Sequence, residues 1–290
     1  MATSISINNL SKTYGETTAL KNITFDVSQG EIFGIIGPDG AGKTTLFRIL
    51  STLLLPDKGT ATIDGLDIIT QFKHIRNHVG YMPGRFSLYQ DLTVEENLTF
   101  FAQVFGTTIQ QNYALIKDIY IQIEPFKNRK AGQLSGGMKQ KLALCCALIH
   151  KPRILFLDEP TTGVDPVSRK EFWEMLKHLK TQNISILVST PYMDEATLCD
   201  RIALIQHGTI LSINTPENII SQYQGDLYAI KGNNNYQLLK QLRSNPTVTS
   251  CYIFGEYLHV TFQGQVPTIE GIQRIQPGIE DCFIQYIDTT

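Results

Sequence analysis

Nowhere in this chain of 290 residues does an apolar run approach the ~20 residues that a membrane-spanning helix needs. If the protein works at a membrane, another chain supplies the spanning part. Charge of one sign is equally scarce: 25 Lys and Arg stand against 27 Asp and Glu, a net charge of -2. That balance leaves no basic stripe for sustained contact with nucleic acid or an anionic membrane surface, and no nucleic-acid partner is expected. The five Cys, at 145, 146, 199, 251 and 282, lack the paired short spacings of a zinc site, so reduced, buried thiols of a cytosolic protein are expected. Met1-Ala2-Thr3-Ser4-Ile5 has no basic segment leading into an apolar stretch, which argues against a secretory signal. There is a single Trp, no low-complexity segment and no repeat at solenoid spacing. What remains is the composition of a soluble globular protein, long enough for one large and one small domain.

Alternation of apolar and polar residues in Ile5-Ser6-Ile7, and again in Ile23-Thr24-Phe25-Asp26-Val27, predicts half-buried strands. Residues 31–36 form a more continuous apolar strand that runs into a glycine-rich loop, and 45–51 read as the helix that loop caps. From about 91 to 149 the pattern turns helical, a helical insertion between two parts of an α/β core. Short apolar strands follow at 153–157 and 185–189, with a helix at 169–180 between them that carries Trp173 as a packing anchor; this alternation favours a parallel sheet. Strands at 202–205 and 209–212, joined at His207-Gly208, read as a closing hairpin. A composition shift at 221–225 marks a boundary. Beyond it a strand (226–231), helix (236–243), strand (248–254), strand (257–262) and helix (268–274) are expected, a small α+β appendage with a packing or dimer-stabilising role.

The residues that carry chemistry come in order along the core. Gly37-Pro38-Asp39-Gly40-Ala41-Gly42-Lys43-Thr44 is a complete phosphate-binding pattern with a strand before it and a helix after it. Its glycines let backbone N–H groups curl around phosphate oxygens, and the helix adds its positive end. Lys43 reaches toward β- and γ-phosphates, Thr44 offers its hydroxyl to Mg²⁺, and Thr45 is placed for the α-phosphate. Asp39 is unusual so close to phosphate: a carboxylate there weakens nucleotide binding modestly unless its side chain turns outward. Downstream, Asp158 ends the hydrophobic strand of Ile154-Leu155-Phe156-Leu157-Asp158-Glu159-Pro160, where it would hold Mg²⁺ through water, and Glu159 is placed to polarise the attacking water as general base. Tyr14, in Ser11-Lys12-Thr13-Tyr14-Gly15, stands where an aromatic ring could stack on adenine.

Ser135-Gly136-Gly137, within Leu134-Ser135-Gly136-Gly137-Met138-Lys139-Gln140, opens a helix between the two nucleotide motifs and resembles the signature of ABC ATPases. The resemblance covers about residues 1–222. The fold it implies is α/β: a P-loop NTPase core of the ABC ATPase type over 1–222, with its helical subdomain at about 91–149, and the small C-terminal α+β appendage over 223–290. It further implies a head-to-tail pair of ATPase domains in which each ATP, with Mg²⁺, lies between the phosphate loop of one and the Ser135-Gly136-Gly137 of the other. Thr162-Gly163-Val164-Asp165 resembles the loop of cross-interface contacts, with Asp165 its key acid. Gly80-Tyr81-Met82-Pro83, Asp91-Leu92-Thr93-Val94-Glu95-Glu96-Asn97-Leu98 and Tyr192-Met193-Asp194-Glu195-Ala196 resemble bacterial ABC-2 type exporters of the multidrug kind, and Pro277-Gly278-Ile279-Glu280-Asp281-Cys282-Phe283-Ile284 resembles the motif that closes many such subunits. The resemblance thus implies an ATPase subunit bound peripherally at the cytoplasmic face of the inner cell membrane, beside a membrane-spanning permease subunit.

Two positions depart from the family. Gly84 follows Tyr81-Met82-Pro83 where the family places Gln, and Pro191 follows Val188-Ser189-Thr190 where it places His. Glycine has no side chain to contact Mg²⁺ and water, and proline offers neither a side-chain donor nor a backbone N–H. Removing one preorganised electrostatic contact costs on the order of 10² to 10³ in rate. Binding is therefore expected to persist while hydrolysis slows, and an unlike ATPase partner, separate or in tandem, is favoured over a homodimer. The alternative to an energy-coupling ATPase is a hydrolysis-impaired half whose signature completes a different partner's site.

Overall fold

The computed structural model describes residues 2–232, 234–264, 266, 267, 269 and 271–288. The chain divides into two units, Met1–Thr215 and Pro216–Thr290. Among the described residues no helix is long and apolar enough to cross a membrane.

In the first unit the alternating N-terminal stretches become two long antiparallel strands, β1 (Thr3–Tyr14) and β2 (Thr17–Ser28), which bury Ile5, Ile7, Leu10, Leu20, Ile23 and Val27 on one face. The chain then enters β3 (Ile32–Ile36), buried along its whole length, and passes through the glycine loop into α1 (Lys43–Leu50). Next come β4 (Lys58–Ile63), the two-residue β5 (Leu66–Asp67), α2 (Phe72–His78) and β6 (Val79–Met82). The helical stretch resolves into α3 (Val94–Val104), α4 (Ile109–Tyr120) and α5 (Gly136–Leu148). The core resumes with β7 (Ile154–Asp158), α6 (Pro166–Thr181), β8 (Ser185–Thr190), β9 (Arg201–Gln206) and β10 (Thr209–Asn214).

Two sheets result. An antiparallel one has the order β2-β1-β4-β5. A six-stranded one runs β10-β9-β3-β8-β7-β6, parallel throughout except that β10 returns antiparallel to β9. β3, β7 and β8 are buried on both faces, as the uninterrupted apolar runs of a covered parallel sheet require. Phe25 stacks on Phe33 at 5.1 Å and Phe47 meets Phe156 edge-on, so α1 and the antiparallel sheet share one core with the parallel sheet. The order matters for function: β8 lies between β3 and β7, which brings the carboxyl ends of three strands side by side, the place where open α/β sheets bind ligands.

The second unit carries α7 (Pro216–Ser221), β11 (Leu227–Ile230), α8 (Asn235–Arg243), β12 (Val248–Phe254), β13 (Tyr257–Phe262), β14 (Gln273–Ile275) and α9 (Ile279–Asp288). Its sheet, β12-β13-β11-β14, is antiparallel throughout, and Ile230, Leu242, Cys251, Leu258 and Val260 form its core. The helix expected over 268–274 is not what the described residues show. Thr268 and Glu270 lie outside them, Gly271 takes a left-handed φ of 76° that breaks a helix, and Gln273–Ile275 is a strand paired with β11. The helix comes later, as α9, whose Ile279, Cys282 and Phe283 are buried at helical spacing. Asp281 fastens α9 to the sheet: its carboxylate accepts from the Tyr252 hydroxyl, from His259 Nδ1 at 2.6 Å and from the Gly278 N–H at 2.6 Å.

Candidate functional site

At the end of β3 the chain turns through Gly37, whose N–H donates to Thr190 O at 3.4 Å, and thus stays against the end of β8. Gly42 takes a φ of 105°, and a Cβ there would lie 2.4 Å from Ala19 O; one at Gly37 would lie 2.1 Å from Ile205 O. Glycine at both is forced by the close approach of backbone, which leaves the loop's N–H groups bare of side chains. Asp39 and Gly40 sit exposed at the tip with Pro38, while Ala41 is buried, and Thr44 and Thr45 are half-buried in the first turn of α1. Lys43 is almost wholly buried. Its ammonium donates to Gly37 O at 2.8 Å and Pro38 O at 2.9 Å, and pairs with Glu159 Oε1 at 3.0 Å. A lysine held this way at the mouth of a ring of amides can exchange carbonyl oxygens for phosphate oxygens with little movement.

Asp158 and Glu159 follow β7. Asp158 is buried and accepts from Ser189 Oγ at 2.7 Å, with the Thr44 hydroxyl close enough to act on its carboxyl. Burial pushes its carboxyl above the ordinary carboxylate range, against the pull of those two hydroxyls. A carboxylate and a hydroxyl side by side are hard oxygen donors of the kind that suits Mg²⁺. Glu159 is held in the left-handed region at φ 52°, with its N–H on Ser189 O at 3.1 Å and Ser189 Oγ at 3.0 Å. An outlier of this sort at a site is strain that the surroundings impose. Tyr81, on β6, has its phenol pushed up to about 12 by burial and by the charge of Asp158. Sequence reasoning missed Ser189, which bonds both acids; nothing in the local pattern of a buried strand distinguishes it, and only the register of β7 against β8, Asp158 opposite Ser189, shows its place.

Of the two departing positions, Gly84 stands against these acids. A Cβ on Gly84 would lie 3.0 Å from Asp158 O and 3.8 Å from Glu159 Cβ. Pro191 follows Thr190, whose hydroxyl donates to Glu195 Oε2 at 2.6 Å and accepts the Tyr192 N–H at 3.1 Å. Glu195, buried, is a second residue that the sequence did not single out by itself.

The remaining residues form a separate group. Ser135 caps α5, its Oγ accepting the Met138 N–H at 3.4 Å, which leaves the Gly136 and Gly137 amides at a helix N-terminus. A Cβ on Gly136 would lie 3.3 Å from Gly163 O, and one on Gly137 only 2.6 Å from Ser168 Oγ. Asp165 caps α6 through the Ser168 N–H at 3.0 Å, a bond that holds its carboxyl below the ordinary range. The structure therefore gathers 37–45 with Asp158 and Glu159, and Ser135–Gly137 with 163–168; among the described residues no hydrogen bond joins the two groups. Tyr14, at the end of β1, is 46% exposed with the Lys12 ammonium 5.8 Å from its ring, and has no hydrogen bond to the loop among the described residues.

Residues 20–162 match the family model described as ABC transporter. The chain is 40% identical over 226 residues to the probable multidrug ABC transporter ATP-binding protein YbhF of Escherichia coli (strain K12), a match that covers 77% of this chain and 39% of that protein. It is 35% identical over 293 residues to the Nod factor export ATP-binding protein I of Burkholderia orbicola (strain AU 1054), covering 97% and 96%. Among solved structures, the dimeric bacterial ABC transporter cassette MJ0796 is 28% identical, with a TM-score of 0.66 over 73% of this chain and 98% of that one. The cbiO1 subunit from Clostridium perfringens, 24% identical, shares the fold at a TM-score of 0.69 over 77% and 92%.

Proposed function

The chain belongs to the family of ABC transporter ATP-binding proteins, and on that premise we propose that it is the ATP-binding subunit of an exporter, coupling ATP hydrolysis to transport through a separate membrane subunit. The observation that carries this is Lys43, drawn into the glycine loop with Glu159 at 3.0 Å and Asp158 beside Thr44. In this reading the amides of Gly37–Thr45 and the Lys43 ammonium bind the phosphates, Thr44 and Asp158 hold Mg²⁺, Glu159 takes the proton of the attacking water, and Tyr14 stacks on the base. When bound, Mg²⁺ supplies charge neutralisation on the phosphates. Ser135, Gly136, Gly137 and Asp165 serve the nucleotide of an opposed domain.

With Asp158 and Glu159 both in place, the hydrolytic reading is favoured over a purely nucleotide-holding half. Gly84 and Pro191 bear on the partner instead. A slow site of its own beside an intact signature fits pairing with an unlike ATPase domain, and the E. coli relative, of which the match spans 39%, has more than half its length outside that match.

The membrane subunit's docking surface is a groove of about 430 Å³ between β6 and the helical stretch, lined by Met82, Pro83, Phe86, Phe101, Val104 and Phe105. Pro83 borders Gly84, whose backbone lies against Asp158 and Glu159, so a segment seated there would touch the loop that borders the site. In this reading the chain is bound peripherally, at the cytoplasmic face of the inner membrane.

Titration with a fluorescent ATP analogue tests the nucleotide reading. Wild type should bind in a Mg²⁺-dependent manner, and Lys43→Ala should lose two or more decades of affinity, about 3 kcal/mol; equal affinity of the two would overturn it.

A further inference from the structure

Buried carboxylates persist in folded proteins when each oxygen is paired, and Glu195 meets that condition with partners from three different segments. Its Oε2 accepts the Thr161 hydroxyl at 3.0 Å and the Thr190 hydroxyl at 2.6 Å, and its Oε1 accepts Arg169 Nε at 3.0 Å. Glu195, Thr161 and Thr190 are each 2% exposed or less. The Arg169 guanidinium also reaches Asp194 at 3.2 Å and stacks over the Tyr192 ring at 4.2 Å, so its position is fixed from three sides.

Each partner marks a functional segment. Thr161 lies two residues beyond Glu159, in a turn stiffened by Thr162 N–H to Glu159 O at 3.2 Å and Val164 N–H to Thr161 O at 3.2 Å. Thr190 immediately precedes Pro191, where the chain offers no donor of its own. Arg169 stands on α6 next to Ser168, whose Oγ would lie 2.6 Å from a Cβ on Gly137. One carboxylate thus ties the base's loop to the helix against which the signature packs. The contacts run from Glu159 to Gly137 through packed and hydrogen-bonded groups.

We propose that Glu195 is a positioning residue that locks the loop bearing Glu159 to α6, so that nucleotide in this chain's own loop and the signature it offers to the opposed site respond together. The inference rests on the nucleotide reading above.

Amide hydrogen exchange by mass spectrometry tests the coupling, on the full chain at concentrations where it is monomeric, with and without MgATP. Wild type, Glu195→Ala and Glu195→Gln are compared; glutamine keeps an oxygen for Arg169 and an amide that bonds the threonine hydroxyls. MgATP should slow exchange at 37–45 in all three proteins. In wild type and Glu195→Gln it should also slow exchange at 135–140 by about tenfold, and in Glu195→Ala that second protection should vanish while MgATP affinity stays within about threefold. If Glu195→Ala does not fold, Thr161→Val removes one arm at constant shape and should give the same loss. Undiminished protection at 135–140 in the alanine variant, or its absence in wild type despite protection at 37–45, contradicts the linkage. No protection at 37–45 in wild type overturns the nucleotide reading itself, and the linkage with it.

Discussion

On the proposed function, Gly84 and Pro191 are the two residues whose chemistry sets how fast this site turns over. Position 84 lies against the acids, since a Cβ there would stand 3.0 Å from Asp158 O, and Pro191 follows the Thr190 that Glu195 holds. Restoring both, as Gly84→Gln with Pro191→His, should raise ATP turnover at saturating MgATP by about tenfold or more, within the 10² to 10³ ceiling per contact. Steady-state phosphate release measures it, and an unchanged rate would mean that neither position limits the chemistry. The tight approach at 84 asks the Asp158 carbonyl to yield by a few tenths of an ångström, so Pro191→His alone is the cleaner half of the pair. Both departures were legible in the sequence because they interrupt contiguous motifs. Ser189 and Glu195 were not, since a serine in a buried strand and a glutamate after one acquire meaning only when β7, β8 and α6 are set in register.

At the scale of elements, legibility followed apolar pattern. The continuously apolar strands β3, β7 and β8 and the capped helices α3 and α6 declare themselves in the sequence, whereas β5 and β6 are only two and four residues long, and strand β4 alternates Lys58-Gly59-Thr60-Ala61-Thr62-Ile63 with little apolar content. The helix expected over 268–274 failed for the converse reason: Gly271 breaks it, and the apolar residues there continue the core of an antiparallel sheet. α3 shows how strongly local signals fix an end. Thr93 and Glu96 form a reciprocal capping box, Glu96 Oε2 accepting the Thr93 N–H at 2.7 Å and Thr93 Oγ1 accepting the Glu96 N–H at 3.2 Å. The Thr93 N–H first, and its hydroxyl second, hold the Glu96 carboxyl below the ordinary range. A carboxylate depressed in the folded state stabilises above its unfolded pKa and loses that contribution as pH falls through the folded one. Wild type should therefore exceed Glu96→Ala in stability at neutral pH, and part of that gap should close as pH falls through the acid range. Urea unfolding followed by fluorescence of the single, buried Trp173 reads the difference, and a gap independent of pH would rule out the charged cap.

The whole molecule presents one unit in which the ends of β3, β7 and β8 meet, and a second with its own sheet and core. The transport reading adds a membrane subunit at the groove. Val104 is 61% exposed on its rim, so Val104→Glu leaves the core intact. That variant should bind MgATP as wild type does yet fail to bind membrane vesicles stripped of peripheral protein and carrying the permease; retained vesicle binding would move the docking surface elsewhere. In the first unit, the proposed function requires the glycine loop, its lysine and two acids to act as one MgATP site, with Glu159 as the base. The most direct test is steady-state ATP turnover by the purified chain with Mg²⁺, beside Glu159→Gln as the blank and with nucleotide binding followed in parallel. Both proteins should bind MgATP and only wild type should turn it over, above the blank but well below the roughly 1 s⁻¹ at the low end of ordinary enzymes. Equal binding with turnover no higher than the Glu159→Gln blank would contradict the proposed function.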